Sequence, residues 1–185
     1  RLPLLVLMTG LSGSGKTWLS NRLVPALPAL RLRSDFERKR LCGLDESADS
    51  ASGVAAGIYD PAISADVYDY LLGTAETLLC AGMNVILDAT FLDASQRSGA
   101  RRVAAACGVS CVTVQTRAQP QTLRERLQSR QVTGDASEAN LRVLQFQRDS
   151  QDPLEAAELQ AAVTVDTDAD VDVAAIAARI QALRY

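Results

Sequence analysis

The run Leu4-Leu5-Val6-Leu7-Met8 is apolar at every position and leads straight into a glycine-rich turn. A short unbroken apolar run predicts a strand buried on both faces. Beyond it the period changes: from about Gly15 to Val24 the positions Trp18, Leu19 and Leu23 form an apolar helical face, and Pro25 is expected to stop that helix. Leu30 and Leu32 alternate with Arg31 and Arg33, which predicts a short second strand ending at Ser34-Asp35. Cys42 to Gly57 is poor in large apolar groups and reads as a loop or small excursion. Ile63 to Ala81, with Val67, Leu71, Leu78 and Leu79, has a helical pattern and is followed by Gly82 as a stop. Val85 to Asp88 then reads as strand, Ala94 to Cys107 as helix and Val109 to Val114 as strand. Gln121 to Arg130 and Glu138 to Asp149 read as helices, Ala162 to Val165 as strand, and Val171 to Leu183 as helix.

Strands alternating with helices predict an α/β fold of three layers, in which a mainly parallel central sheet is covered on both faces. Ligands of such sheets lie beyond the carboxyl ends of the strands. The loop after Met8, Asp35 after the second strand and Asp88 after the third are therefore expected to meet in one cleft.

That expectation gains chemical content from the turn itself. Gly10-Leu11-Ser12-Gly13-Ser14-Gly15-Lys16-Thr17 matches the phosphate-binding pattern G-x-x-x-x-G-K-[ST] at every fixed position, between a strand and a helix as the motif requires. Backbone N–H groups around Gly10, Ser12, Gly13, Ser14 and Gly15 and the positive end of the helix suit a polyphosphate. Lys16 supplies a cation for the β and γ phosphates, and the Thr17 hydroxyl is a ligand for Mg²⁺. The chain is thus expected to bind a nucleoside triphosphate, ATP by preference. Two roles are open for Asp88, an apolar strand ending in an acid: a place in the Mg²⁺ shell, or a helix cap or turn residue. Asp35 has two as well. It can take the proton of an acceptor hydroxyl, with Arg38 on the same side of a first helical turn holding an anion of that acceptor, or it can cap the helix that follows.

Composition narrows the setting. A chain of 185 residues, 48% hydrophobic, suits one domain spanning residues 1–185. Its 19 basic and 22 acidic residues leave a net charge of −3, which argues against a long nucleic acid as partner. No stretch is long and apolar enough to span a membrane. Cys42, Cys80, Cys107 and Cys111 lack paired ligand spacing, so reduced structural thiols in a cytoplasmic protein are expected, with a redox or metal role as the alternative. With no histidine in the chain, carboxylates are left to act as general base. Arg1 stands where Met would begin a chain and strand-like sequence starts almost at once, which suggests a piece of a longer polypeptide, with covalent fusion to another domain.

Taken together, Gly10 to Thr17, Ser34-Asp35 with Arg38, and Asp88-Ala89-Thr90-Phe91 with Arg97 resemble the P-loop kinases related to polynucleotide 5′-hydroxyl kinases and zeta toxins. The likeness extends to ATP-binding modules fused to aminoglycoside-phosphotransferase-like domains. Arg124-Glu125-Arg126 with Arg130, followed by Ser137-Glu138, resembles the lid of that group, placed here at about residues 117–150. The resemblance implies Asp35 as general base, Arg38, Thr90 and Arg97 on the acceptor side, Arg126 and Arg130 as catalytic lid groups, and Asp166 and Thr167 beside adenine. Solvated surface charge is the other reading of the lid arginines.

These readings lead to a Mg²⁺-dependent kinase that moves the ATP γ-phosphate to a hydroxyl of a small-molecule or nucleotide-like acceptor. The alternatives are a polynucleotide 5′-hydroxyl kinase and a regulatory ATP-binding or ATPase module.

Overall fold

The structure, a computed structural model, describes residues 2–45, 57, 60–133 and 140–184. Among these residues five strands form one parallel sheet in the order β2-β3-β1-β4-β5, with β1 Leu4–Thr9, β2 Ala29–Arg33, β3 Asn84–Asp88, β4 Ser110–Arg117 and β5 Val163–Asp166. The central strand β1 is buried at all six positions, and its side chains alternate between the layers. Leu5 and Leu7 pack with α3 (Pro61–Cys80) and α4 (Ala94–Ala106). Leu4, Val6 and Met8 pack on the other face with α1 (Lys16–Ala26) and α8 (Val173–Ala182). A strand apolar at every position needs both layers, so the expected three-layer architecture is the one found.

Between β2 and α3 the chain forms α2 (Ser34–Leu41), and β4 is followed by α5 (Pro120–Thr133), α6 (Leu141–Ser150) and α7 (Ala156–Ala161). Leu123 and Leu127 of α5 and Val143 and Leu144 of α6 make a small separate core onto which Leu11 of the glycine-rich loop packs. The helical pair after β4 is therefore seated on the loop by apolar contact.

The helix α1 does not end before Pro25, which lies in its last turn. Proline there forfeits one backbone hydrogen bond near an end, and Leu27 N–H still reaches the Leu23 carbonyl at 2.9 Å. Most of the expected Cys42–Gly57 loop, the Ser137-Glu138 lid segment and the first residues of the expected Glu138 helix lie outside the described residues. No helix among the described residues is long and apolar enough to cross a membrane.

Candidate active site

The loop from Gly10 to Gly15 holds its shape because glycine stands where the backbone is left-handed or crowded. Gly15 has φ +93° and forms the N-cap of α1; a Cβ on Gly10 would lie 2.6 Å from the Thr116 carbonyl oxygen. Ser14 Oγ and Thr116 Oγ1, 2.7 Å apart, pin the loop to the end of β4. The loop wraps its own lysine: Lys16 Nζ donates to the Gly10 and Leu11 carbonyls, both at 2.9 Å. Burial brings the Lys16 ammonium down to about 8, against the opposing pull of Asp88 and Asp35.

Beyond the ends of β1, β2 and β3 lies a cavity lined by Ser12, Gly13, Gly15, Lys16, Thr17, Ser34, Asp35, Asp88, Thr90 and Arg130. Sequence positions far apart thus meet as a parallel sheet requires. Asp88, its side chain 2% exposed, accepts from Ser20 Oγ at 2.9 Å and from Thr17 Oγ1 at 3.4 Å, with Arg31 Nη1 at 3.8 Å and Arg33 Nε at 4.0 Å. A hydroxyl beside a buried carboxylate at the mouth of a phosphate loop suits one hard divalent cation, which takes few protein oxygens and completes its shell with phosphate and water. Thr17 and Asp88 therefore fit Mg²⁺. Asp93, and not Asp88, caps the helix that follows, α4.

Asp35 sits in the first turn of α2, whose N-cap is Arg33, and makes no capping hydrogen bond. Its carboxyl faces the cavity, with Arg33 Nη2 at 3.7 Å. Burial pushes the Asp35 carboxyl above its ordinary range, while Arg33 pulls it down, Asp88 raises it further, and Lys16 and Arg38 pull it down. Across the cavity Thr90 Oγ1 is 3.0 Å from the Tyr68 hydroxyl.

A second cavity, of about 500 Å³, adjoins the first and is lined by Gly15, Trp18, Arg126, Ser129, Arg130, Thr167, Ala169, Asp170 and Val171. Arg130 lines both, so it stands at their junction. Arg126 lines only the second, and its guanidinium is committed: Nη1 donates to the Gly13 carbonyl at 3.1 Å and to Thr167 Oγ1 at 2.8 Å, and Nη2 to the Thr167 carbonyl at 2.8 Å. These bonds hold Arg126 against the loop at Gly13 and against Thr167, beside the second cavity. Of the two residues expected beside adenine, Thr167 lines that cavity, whereas Asp166 is exposed and accepts from the Asp168 N–H at 2.9 Å. Trp18, expected in the core face of α1, is 41% exposed and lines this second cavity.

Arg97 is the clearest correction. It was expected on the acceptor side, yet it is 0% exposed. Its Nε and Nη2 donate to Glu158 at 2.9 and 3.0 Å, and its Nη1 to the carbonyls of Phe91, Leu92 and Asp152 at 3.1 to 3.2 Å. It thereby braces the turn after β3, where Phe91 holds an uncommon φ of +42°. Arg38, also expected to meet the acceptor, is 7% exposed and donates to Ser64 Oγ at 2.8 Å, tying α2 to α3 behind Asp35.

Residues not anticipated also converge here. Ser20 lies one turn after Thr17 on α1, Arg31 and Arg33 share the parity of β2 that faces Asp88, and Tyr68 reaches Thr90 from α3. Gln147 of α6 accepts from the Ser12 N–H at 2.9 Å, so α6 touches the glycine-rich loop directly. The period of β2 and the spacing from Thr17 carried a signal for three of these; nothing local in the sequence marked Tyr68 or Gln147.

Comparison with known proteins agrees with this architecture. The chain resembles the structure of the Mycobacterium tuberculosis APS kinase CysC in complex with AMPPNP and APS, with a TM-score of 0.67, 21% identity and coverage of 99% and 98% of the two chains. It resembles a gluconokinase from Sinorhizobium meliloti 1021 with a TM-score of 0.62, 19% identity and coverage of 99% and 92%. Chaetomium thermophilum Kti12 in complex with ADP-AlF3 gives a TM-score of 0.74 at 15% identity, covering 97% and 98%. At such identities the likeness speaks for the fold alone, a three-layer α/β fold with a P-loop. An uncharacterized protein of Mycobacterium tuberculosis (strain ATCC 25618 / H37Rv) is 30% identical over 126 residues, 68% of this chain. The chain spans about a quarter of that relative's length, 25%. The family model described as AAA domain (AAA_33) matches residues 5–154, and the chain belongs to that family.

Proposed function

We propose that this domain is a Mg²⁺-dependent kinase that transfers the γ-phosphate of ATP to a hydroxyl of a small-molecule or nucleotide-like acceptor. The observation that carries the reading is the placement of Asp35. A carboxylate made more basic by burial faces the cavity that also holds Lys16, and a phosphoryl acceptor needs its hydroxyl proton removed there. Hydrolysis alone has no need of a second acid at the end of β2.

In this reading the phosphates lie along the N–H groups from Gly10 to Thr17, and Lys16 leaves the loop carbonyls for the β and γ oxygens. Thr17 and Asp88 would hold Mg²⁺, which supplies charge neutralisation on the phosphates. Thr90 orients the acceptor hydroxyl toward Asp35, and Arg130, at the junction of the cavities, faces the charge that develops during transfer. The second cavity takes the base, with Trp18 and the Arg126 guanidinium on its walls and Thr167 at its edge. The nucleotides named with the APS kinase and Kti12 structures support ATP as donor, and the acceptors named for the two kinases are small molecules. The narrower likeness to polynucleotide 5′-hydroxyl kinases and zeta toxins rests on the sequence motifs alone.

The test is a transfer assay with γ-labelled ATP across sugars, nucleosides, aminoglycosides and oligonucleotides, run on the parent and on Asp35→Asn. The amide keeps the shape and cannot take the proton. Transfer should fall by about 10²- to 10⁴-fold, while affinity for a non-hydrolysable ATP analogue stays within a few-fold of the parent. Undiminished transfer by Asp35→Asn sinks the assignment of the base. ATP consumption that no acceptor stimulates would favour the ATPase reading.

A further inference from the structure

Far from this site, two thiols meet. Cys80 ends α3 and is exposed; Cys107 is the C-cap of α4 and half-buried; their sulfur atoms are 3.1 Å apart. The two helices pack side by side on one face of the sheet, so the thiols stand at the same end of adjacent rods. Both lie at helix termini, and a bond requires the sulfur atoms to approach by a further ~1 Å. The sequence spacing gave no hint of the pair, because the turn from Ala81 to Met83, strand β3 and all of α4 intervene.

We propose that Cys80 and Cys107 form a disulfide by exchange with a low-molecular-weight disulfide, a covalent staple that joins α3 to α4. Access sets the order of steps. The exposed Cys80, as thiolate, attacks one sulfur of the small disulfide, the S–S bond breaks and one small thiol leaves. Cys107 then loses its proton and attacks the Cys80 sulfur of the mixed disulfide, expelling the second small thiol. Two protein thiols are oxidised, one small disulfide is reduced to two thiols, and the two protons end on those leaving groups. Burial and the neighbouring Cys80 push the Cys107 thiol up to about 11, so at neutral pH it is a poor nucleophile toward reagents in solution. Only the tethered second step, at high effective concentration, suits it. Cys111, pushed up to about 12 by burial, serves as an internal control that should stay reduced.

The closed loop contains β3 and α4, so the bond restricts the unfolded chain and should raise the melting temperature by about 5–10 °C. The whole chain is incubated with oxidised glutathione, denatured, alkylated and digested for mass spectrometry, and thermal unfolding is followed with and without dithiothreitol. A linked peptide pair containing Cys80 and Cys107, with Cys42 and Cys111 alkylated, is the expected result. Cys107→Ser should instead stop at a glutathione adduct on Cys80, and Cys80→Ser should give no link and no redox-dependent melting shift. Four alkylated cysteines, a stable glutathione adduct on Cys80 in the parent, or a link involving Cys42 or Cys111 would overturn the pairing. A link that leaves the melting temperature unchanged would overturn the staple. Neither readout depends on the identity of the phosphate acceptor.

Discussion

An arginine with no exposed surface is a commitment that the surrounding chain must honour. Arg97 meets Glu158 and several carbonyl oxygens of the turns after β3 and α6, so every one of those groups is left short of a partner when it goes. Arg97→Met should therefore cost about 3–5 kcal/mol of stability, read from urea unfolding, as removal of one partner from a buried ion pair does. A residue that merely touched the acceptor would leave stability nearly untouched. Glu158 carries the pH signature of the same contact. Hydrogen bonds from Arg97 hold its carboxyl down to about 2 from an ordinary 4.5, with Arg101 adding a further contact. A depressed carboxyl stabilises the fold fully above its unfolded value and loses that contribution as pH falls from about 4.5 toward about 2. Stability measured against pH should fall more steeply through this window in the parent than in Glu158→Gln. Equal slopes would remove the link. None of this was legible locally, because Arg97 and Glu158 are 61 residues apart and a basic residue after an acid-ended strand looks like an acceptor contact.

At the scale of the element, α5 presents two arginines one turn apart with different surroundings. Arg126 is tied to Gly13 and Thr167 beside the second cavity, whereas Arg130 also lines the first. If the second cavity takes the base as proposed, Arg126→Ala should weaken ATP binding, raising KM about tenfold with a smaller change in kcat, because it frees the loop and opens that cavity. Arg130→Ala should spare KM and lower kcat by about 10³-fold or more, as loss of a cation over the developing charge does. Steady-state kinetics on the two variants decide it, and the reverse pattern would exchange their roles. The elements themselves were largely legible. Strands β1 and β3 announce themselves by unbroken apolar runs, and α3 by its long 3.6-residue period. The helix α7 was not legible, being only six residues long and capped reciprocally by Glu155 and Glu158 where a Ser or Thr would have flagged it. Trp18 misled because a large apolar ring on a helix usually faces the core, and here it borders a cavity.

For the whole molecule the charge balance makes its own prediction. A net charge of −3 gives little electrostatic pull on a polyanion. Fluorescent single-stranded DNA or RNA should bind weakly and with little loss of affinity between low and near-physiological salt. Tight binding that collapses as salt rises would reveal an extended phosphate footprint and bring the polynucleotide reading forward.

The strand order has a consequence on the ribosome. β1, first of the five strands to be made, occupies the centre of the sheet, and its two neighbours are β3 and β4. At about 5–20 residues per second, roughly 5–20 s pass between completion of β1 and completion of β4. A six-residue segment of Leu, Val, Met and Thr has both its hydrogen-bonding edges unclaimed until β3 is made, and one of them unclaimed until β4 follows. The central position that lets β1 deliver its loop to the middle of the cleft also makes it the part of the nascent chain most exposed to wrong pairing, and the natural target for a chaperone.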